Sequence, residues 1–102
     1  AKAVQNARKL ITEEKVDALV GSSLTPVSLP LIDIAHETKT PLLTLAASHV
    51  MVQPLDDKKK WVYKVVPNDD LMAKVILQHI AKSGVKKLAY IGVSDGYGEG
   101  YY

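Results

Sequence analysis

The chain has no cysteine. Disulfide scaffolds, thiolate metal sites and cysteine nucleophiles are thereby excluded, while the compartment stays open. Aromatic residues are scarce, with one Trp, five Tyr and no Phe among 102 residues. The core therefore has to be built from Leu, Ile, Val and Ala. Long apolar runs are missing too, and none approaches the ~18 residues of a membrane-crossing helix. Neither sign of charge dominates: 13 Lys and Arg stand against 11 Asp and Glu, for a net charge of +2. No basic cluster is interleaved with aromatics, so no nucleic-acid partner is expected. No signal peptide is visible. No strand and no capping Ser, Thr, Asp or Asn precedes the first helix, so the opening is expected to be cut from something longer.

What is present is 47% apolar and 24% charged, enough for one compact domain and too little for two. Residues 3–14 read as a helix, with Val4, Ala7, Leu10 and Ile11 on one face and Gln5, Arg8, Lys9 and Glu13 on the other. Asp17 to Gly21 carries a short continuous apolar run, the pattern of a parallel strand buried on both faces. A second helix is predicted over 27–38, with Pro30 near its first turn and Thr40-Pro41 as its stop. Leu42 to Leu45 reads as a second strand, 49–60 as an aperiodic loop and 61–66 as a third strand. Pro67-Asn68-Asp69-Asp70 caps a helix over 70–82, whose apolar face holds Leu71, Met72, Val75, Ile76 and Ile80. Lys82-Ser83-Gly84 closes that helix, and 88–93 reads as a further buried strand. Helices alternating with buried strands imply βαβ units and a three-layer α/β fold around a parallel sheet.

In such sheets ligands sit beyond the carboxyl ends of the strands. Three loops leave those ends: Gly21 to Thr25, Ala46 to Ser48, and Ser94 to Gly100. The first holds Ser22, Ser23 and Thr25 just before a helix. Hydroxyls and free N–H groups there suit a carboxylate or phosphate, or the hydroxyls merely cap the helix. Ala46-Ala47-Ser48 makes either a tight turn or a ligand wall. Tyr97, set between Gly96 and Gly98, lies against a ligand or is a plain loop aromatic. The spacing of Gly96, Gly98 and Gly100 fails the GxGxxG phosphate fingerprint, and no GxxxxGK[ST] is present. His36, His49 and His79 have no i, i+4 partner, so neither a metal site nor a cofactor is expected. Asp69-Asp70 is explained by a helix N-terminus. No Ser/His/Asp set is spaced for catalysis, and an enzyme is not expected.

Four segments stand in a telling order and spacing: Asp17 to Ser23, Pro41 to Ser48, Trp61 to Asp69, and Tyr97-Gly98-Glu99-Gly100. Together they resemble the type I periplasmic binding proteins, the solute-binding proteins of branched-chain amino-acid ABC transporters. The resemblance spans all 102 residues. It implies an internal piece of a two-lobed receptor, with 1–67 in the N-terminal lobe, 68–102 opening the C-terminal lobe, and the crossover near Val66-Pro67-Asn68. It implies that Thr25, with Ser22 and Ser23 beside it, holds a ligand α-carboxylate. Ala46 offers a carbonyl to the ammonium, and Ser48, next to Ala47, offers an N–H to the carboxylate. Tyr97 closes over the ligand, and the acidic partner of the ammonium lies beyond residue 102. The implied ligand is a small amino acid or related carboxylate, the implied partner a membrane permease, and the implied location periplasmic or lipid-anchored outside the cell.

Two other readings use the same fold: a cytoplasmic ligand-sensing regulator, and an enzyme gripping phosphate at Gly21 to Thr25. As an isolated piece, the chain is expected to leave sheet edges and helix faces that pair with another chain, or else to be disordered in solution.

Overall fold

The computed structural model describes residues 2–101, so Ala1 and Tyr102, the outer ends of the two expected segments, lie outside the described residues. Three α-helices and three short strands follow in the order α1 (Lys2–Thr12), β1 (Leu19–Val20), α2 (Thr25–Thr38), β2 (Leu42–Thr44), β3 (Val62–Lys64) and α3 (Asp69–Lys82). Single 3-10 turns occupy His49–Met51, Lys59–Trp61 and Gly98–Tyr101. The strands form one parallel sheet in the order β1-β2-β3, the architecture expected from alternating helices and apolar runs.

Register explains the core. Leu19 lies opposite Leu42, and Leu42 opposite Val62, so these three share one face of the sheet. All three are buried, together with Ala7 of α1 and Leu31, Ile32, Ile34 and Ala35 of α2. The other row, Val20, Leu43 and Tyr63, lies on the opposite face. There Val20 is 75% exposed and Tyr63 56% exposed. Burial on both faces, expected from the continuous apolar runs, is therefore not reached: among the described residues helices cover one face.

Helix ends follow local chemistry. α2 starts at Thr25, two residues earlier than expected, which places Pro30 inside the helix rather than in its first turn. Ser28 donates its hydroxyl to the carbonyls of Leu24 (2.9 Å) and Ser22 (3.0 Å). The helix ends with Lys39 in the left-handed region and the Thr40 N–H on the Ala35 carbonyl at 3.1 Å. α3 ends as read from sequence: Ser83 donates to His79 and Ile80, and Gly84 follows with φ +72°, a conformation that suits glycine.

One expected strand does not form. Residues 88–93 make no ladder with any described strand, and Ile91 is 97% exposed. The pattern of apolar residues is that of a strand, but a strand exists only where a neighbour takes up its N–H and C=O groups. The apolar face of α3 is also open, with Leu71, Met72, Val75 and Ile76 all at least half exposed. The radius of gyration, 16.3 Å, exceeds the ~13 Å of a compact chain of this length, and the molecule measures 56 × 22 × 18 Å.

Candidate functional site

The loop after β1 is shaped by Gly21, whose φ of +119° is open to glycine and strained for other residues. Its N–H donates to Leu43 at 2.9 Å, and the Leu45 N–H returns to Ser22 at 3.2 Å. These bonds hold the loops after β1 and β2 side by side. Thr44 reinforces them, accepting the Ala46 N–H at 3.1 Å and donating to the Ser22 carbonyl at 3.3 Å.

The residue capping α2 is Leu24, and no side chain accepts the helix's first N–H groups. The capping alternative for Ser22, Ser23 and Thr25 is thus not what the loop does. Thr25 is 2% exposed, and its hydroxyl has no hydrogen-bond partner among the described residues. Stranding a hydroxyl in this way costs about 1–3 kcal/mol, so the position is unusual for a purely structural threonine.

Ser23, Leu24, Thr25 and Pro26 form one wall of a cavity of about 420 Å³, and Ala47, Val93, Asp95 and Tyr97 form the rest. Four expected site residues thus meet there: Ser23, Thr25, Ala47 and Tyr97. Ser22, Ala46 and Ser48 do not line it. Ala46 and Ser48 are fully buried beside Ala47, and the Ser48 hydroxyl has no hydrogen-bond partner among the described residues. The loop of Tyr97 is held by Asp95, whose Oδ1 accepts the N–H groups of Tyr97 (2.9 Å) and Gly98 (3.0 Å). Gly98 is obligatory here, because a Cβ would overlap the Val93 carbonyl oxygen. The Tyr90 hydroxyl donates to the Gly98 carbonyl at 2.7 Å.

Sequence reasoning missed Asp95 as a cavity residue, although Asp-Gly-Tyr-Gly is a recognisable turn in which the Asp side chain takes up N–H groups. It also missed a polar cluster around the loop after β2. Asp69, expected only to favour a helix start, is 1% exposed. Its Oδ1 accepts the His49 N–H at 2.8 Å and lies 2.9 Å from His49 Nδ1. Burial works against its charge, but the His49 contacts outweigh it and hold the carboxyl below its ordinary pKa. The nearby Ser48 hydroxyl also favours the charged form, although Ser48 Oγ and Asp69 Oδ2 are not in hydrogen-bonding geometry with any group. Lys64 of β3 donates to the carbonyls of Ala47, Ser48 (3.5 Å) and Pro67 (3.1 Å). Burial draws this ammonium below its ordinary pKa, with Asp69 and Asp70 opposing. Nothing in local spacing announces a contact between positions 49 and 69.

A parallel sheet whose strand-end loops wall a small cavity, with a buried hydroxyl at a helix start, defines a ligand-binding α/β protein. The chain belongs to the periplasmic binding protein family, whose model matches residues 1–101. It is similar to an extracellular ligand-binding receptor from Rhodopseudomonas palustris HaA2, with 70% identity and a TM-score of 0.97 over 99% of this chain. A second extracellular ligand-binding receptor from the same strain shares 35% identity, with a TM-score of 0.86 over 97%. A third, from Rhodopseudomonas palustris, shares 36% identity, with a TM-score of 0.85 over 97%. The chain spans 28%, 27% and 26% of those three chains. No curated protein matches it. The family and these relatives are binding proteins rather than enzymes.

Proposed function

We propose that this chain is part of a solute-binding receptor that holds a small amino acid of the branched-chain type, or a related carboxylate, between two lobes. The receptor passes its ligand to the membrane permease of an ABC transporter and works in the periplasm or, lipid-anchored, outside the cell. Residues 1–67 belong to the N-terminal lobe and residues 68–102 open the C-terminal lobe, with the crossover at Pro67. Membership of the family and the printed descriptions of the similar receptors support this reading.

The observation that carries it is the meeting of Ser23, Thr25, Ala47 and Tyr97 on one cavity, with the Thr25 hydroxyl buried and unpartnered. A ligand carboxylate takes the Thr25 hydroxyl and the Thr25 N–H at the start of α2, where the helix dipole favours negative charge. Tyr97 covers the ligand from the other side. The apolar wall of Leu24, Pro26 and Val93 suits an aliphatic side chain, and the Asp95 carboxylate stands on the same cavity. Each charge-assisted bond contributes roughly 1.5–3 kcal/mol, so three or four support micromolar binding without a nucleophile or general base.

A thermal-shift screen of a full-length receptor carrying this sequence tests the reading. L-leucine, L-isoleucine, L-valine, the other amino acids and small carboxylic acids are the probes, with nucleotides as the contrast. At least one amino acid or carboxylate is expected to raise Tm as its concentration rises, by mass action on the folded state. A shift with nucleotides alone, or with none of the probes, overturns the proposal.

A further inference from the structure

We propose that Lys64 and Asp69 are positioning residues for the loop after β2: without touching the ligand, they hold residues 47–49 so that the Ala47 N–H on the cavity wall stays available to it. The inference rests on the proposed reading of that loop as part of the ligand wall.

The hydrogen bonds of the loop leave little freedom elsewhere. The Leu45 N–H is bound to Ser22 and the Ala46 N–H to Thr44. The carbonyls of Ala47 and Ser48 accept the Lys64 ammonium, and Ser48 accepts the Met51 N–H at 3.3 Å as well. The His49 N–H goes to Asp69, while the His49 carbonyl accepts Val52 (3.0 Å) and Gln53 (2.9 Å). The Ala47 and Ser48 N–H groups make no hydrogen bond with any described residue. Backbone N–H groups shielded from water are rarely left unmade, and of these two residues Ala47 lines the cavity while Ser48 is buried off its wall. The anchors come from opposite sides. Lys64 reaches the loop carbonyls from β3, and Asp69 takes the following N–H from the first turn of α3. An ammonium can only donate and an ionised carboxylate can only accept, so the pair holds carbonyls and an N–H of adjacent peptides in one orientation. Lys64 and Asp69 are both absent from the cavity wall, so truncating either removes no ligand contact.

The test uses a full-length receptor carrying Lys64→Met, Asp69→Asn or Lys64→Arg. Amide hydrogen exchange without ligand is the first measurement. In Lys64→Met and Asp69→Asn the hydrogen-bonded amides of Ala46 and His49 are expected to exchange at least about tenfold faster, while those of α2 and β2 keep their protection. Lys64→Arg, which retains donors, is expected to restore slow exchange. Calorimetric titration with L-leucine, or with the strongest probe of the thermal-shift screen, is the second measurement. A ten- to hundredfold rise in Kd is expected in the first two variants, with recovery in Lys64→Arg. Unchanged exchange at Ala46 and His49, loss of protection spread evenly over the sheet, or an unchanged Kd in both variants overturns the inference. If the wild-type receptor binds no probe, the proposed function fails and the exchange result alone decides whether these residues hold the loop. Asp69→Asn preserves size and an acceptor, and it carries the test if Lys64→Met does not fold.

Discussion

Residues 2–67 and 68–101 are made of similar apolar material and use it differently. Every buried apolar residue among those described lies in the first region, between Ala7 and Val62. In the second, Leu71, Met72, Val75, Ile76, Leu77, Leu88 and Ile91 are exposed, and Asp69 is the buried side chain. The first region has three strands in register and two helices on one face of them. The second has one helix, an unpaired strand-like segment and a turn that folds back to the cavity. Composition sets how much apolar surface a segment can bury. Burial itself requires neighbours, and the second region finds few among the described residues. It still supplies Tyr97 and Asp95 to the cavity and Asp69 to the loop after β2.

The largest expected effect falls in the first region. Leu42 is fully buried at the centre of the sheet, and Leu42→Ala is expected to cost about 2–5 kcal/mol in denaturant unfolding, from lost transfer energy and the cavity left behind. A cost near zero would mean that the sheet is not the stable part of the molecule.

Thr25→Val separates stability from binding. Removing an unpartnered buried hydroxyl with little change of shape is expected to leave unfolding free energy unchanged or slightly raised. Ligand affinity in the full-length receptor is expected to fall by about 1–3 kcal/mol, read by calorimetry. Unchanged affinity removes Thr25 from the site.

A smaller effect lies at the junction of the two regions and depends on pH. Asp69 has a folded pKa below its unfolded value of about 3.9. Its contribution to stability is therefore complete above about pH 4 and is lost as pH falls through the folded value. Urea unfolding at a series of acidic pH values is expected to show a flatter acid limb in Asp69→Asn. Lys64 acts in the opposite range: its folded pKa is lowered, so its burial penalty fades as pH rises towards about 10.4. An acid limb identical in wild type and Asp69→Asn contradicts the ionised contact with His49.

The smallest effect is expected on α3. Val75 is 58% exposed, and Val75→Ala is expected to change the stability of the 102-residue chain by no more than about 0.5 kcal/mol. In a full-length receptor, where the proposed C-terminal lobe covers this face, the same substitution is expected to cost more. Equal costs in the two contexts would show that the face stays uncovered.

These contrasts show what a sequence can carry. Periodicity located α1, α2 and α3 to within two residues at each end, because helix hydrogen bonds are local and the apolar spacing that marks a helix is local too. Apolar runs located β1, β2 and β3, but they read residues 88–93 in the same way, since pairing is a property of neighbours rather than of the run. The same limit hid the exposure of Val20 and Tyr63. At the candidate site, the strand-end loops and Tyr97 could be picked out from spacing and family resemblance. The contact of His49 with Asp69 could not, because 20 residues separate them and each has an ordinary local explanation.

The most direct measurement is a crystal structure of the full-length receptor with the strongest ligand from the thermal-shift screen. The account predicts a ligand carboxylate about 3 Å from the Thr25 hydroxyl and from the Ala47 N–H, with the Tyr97 ring against the ligand. A ligand bound elsewhere, with the Thr25 hydroxyl still buried and unpartnered, would contradict it.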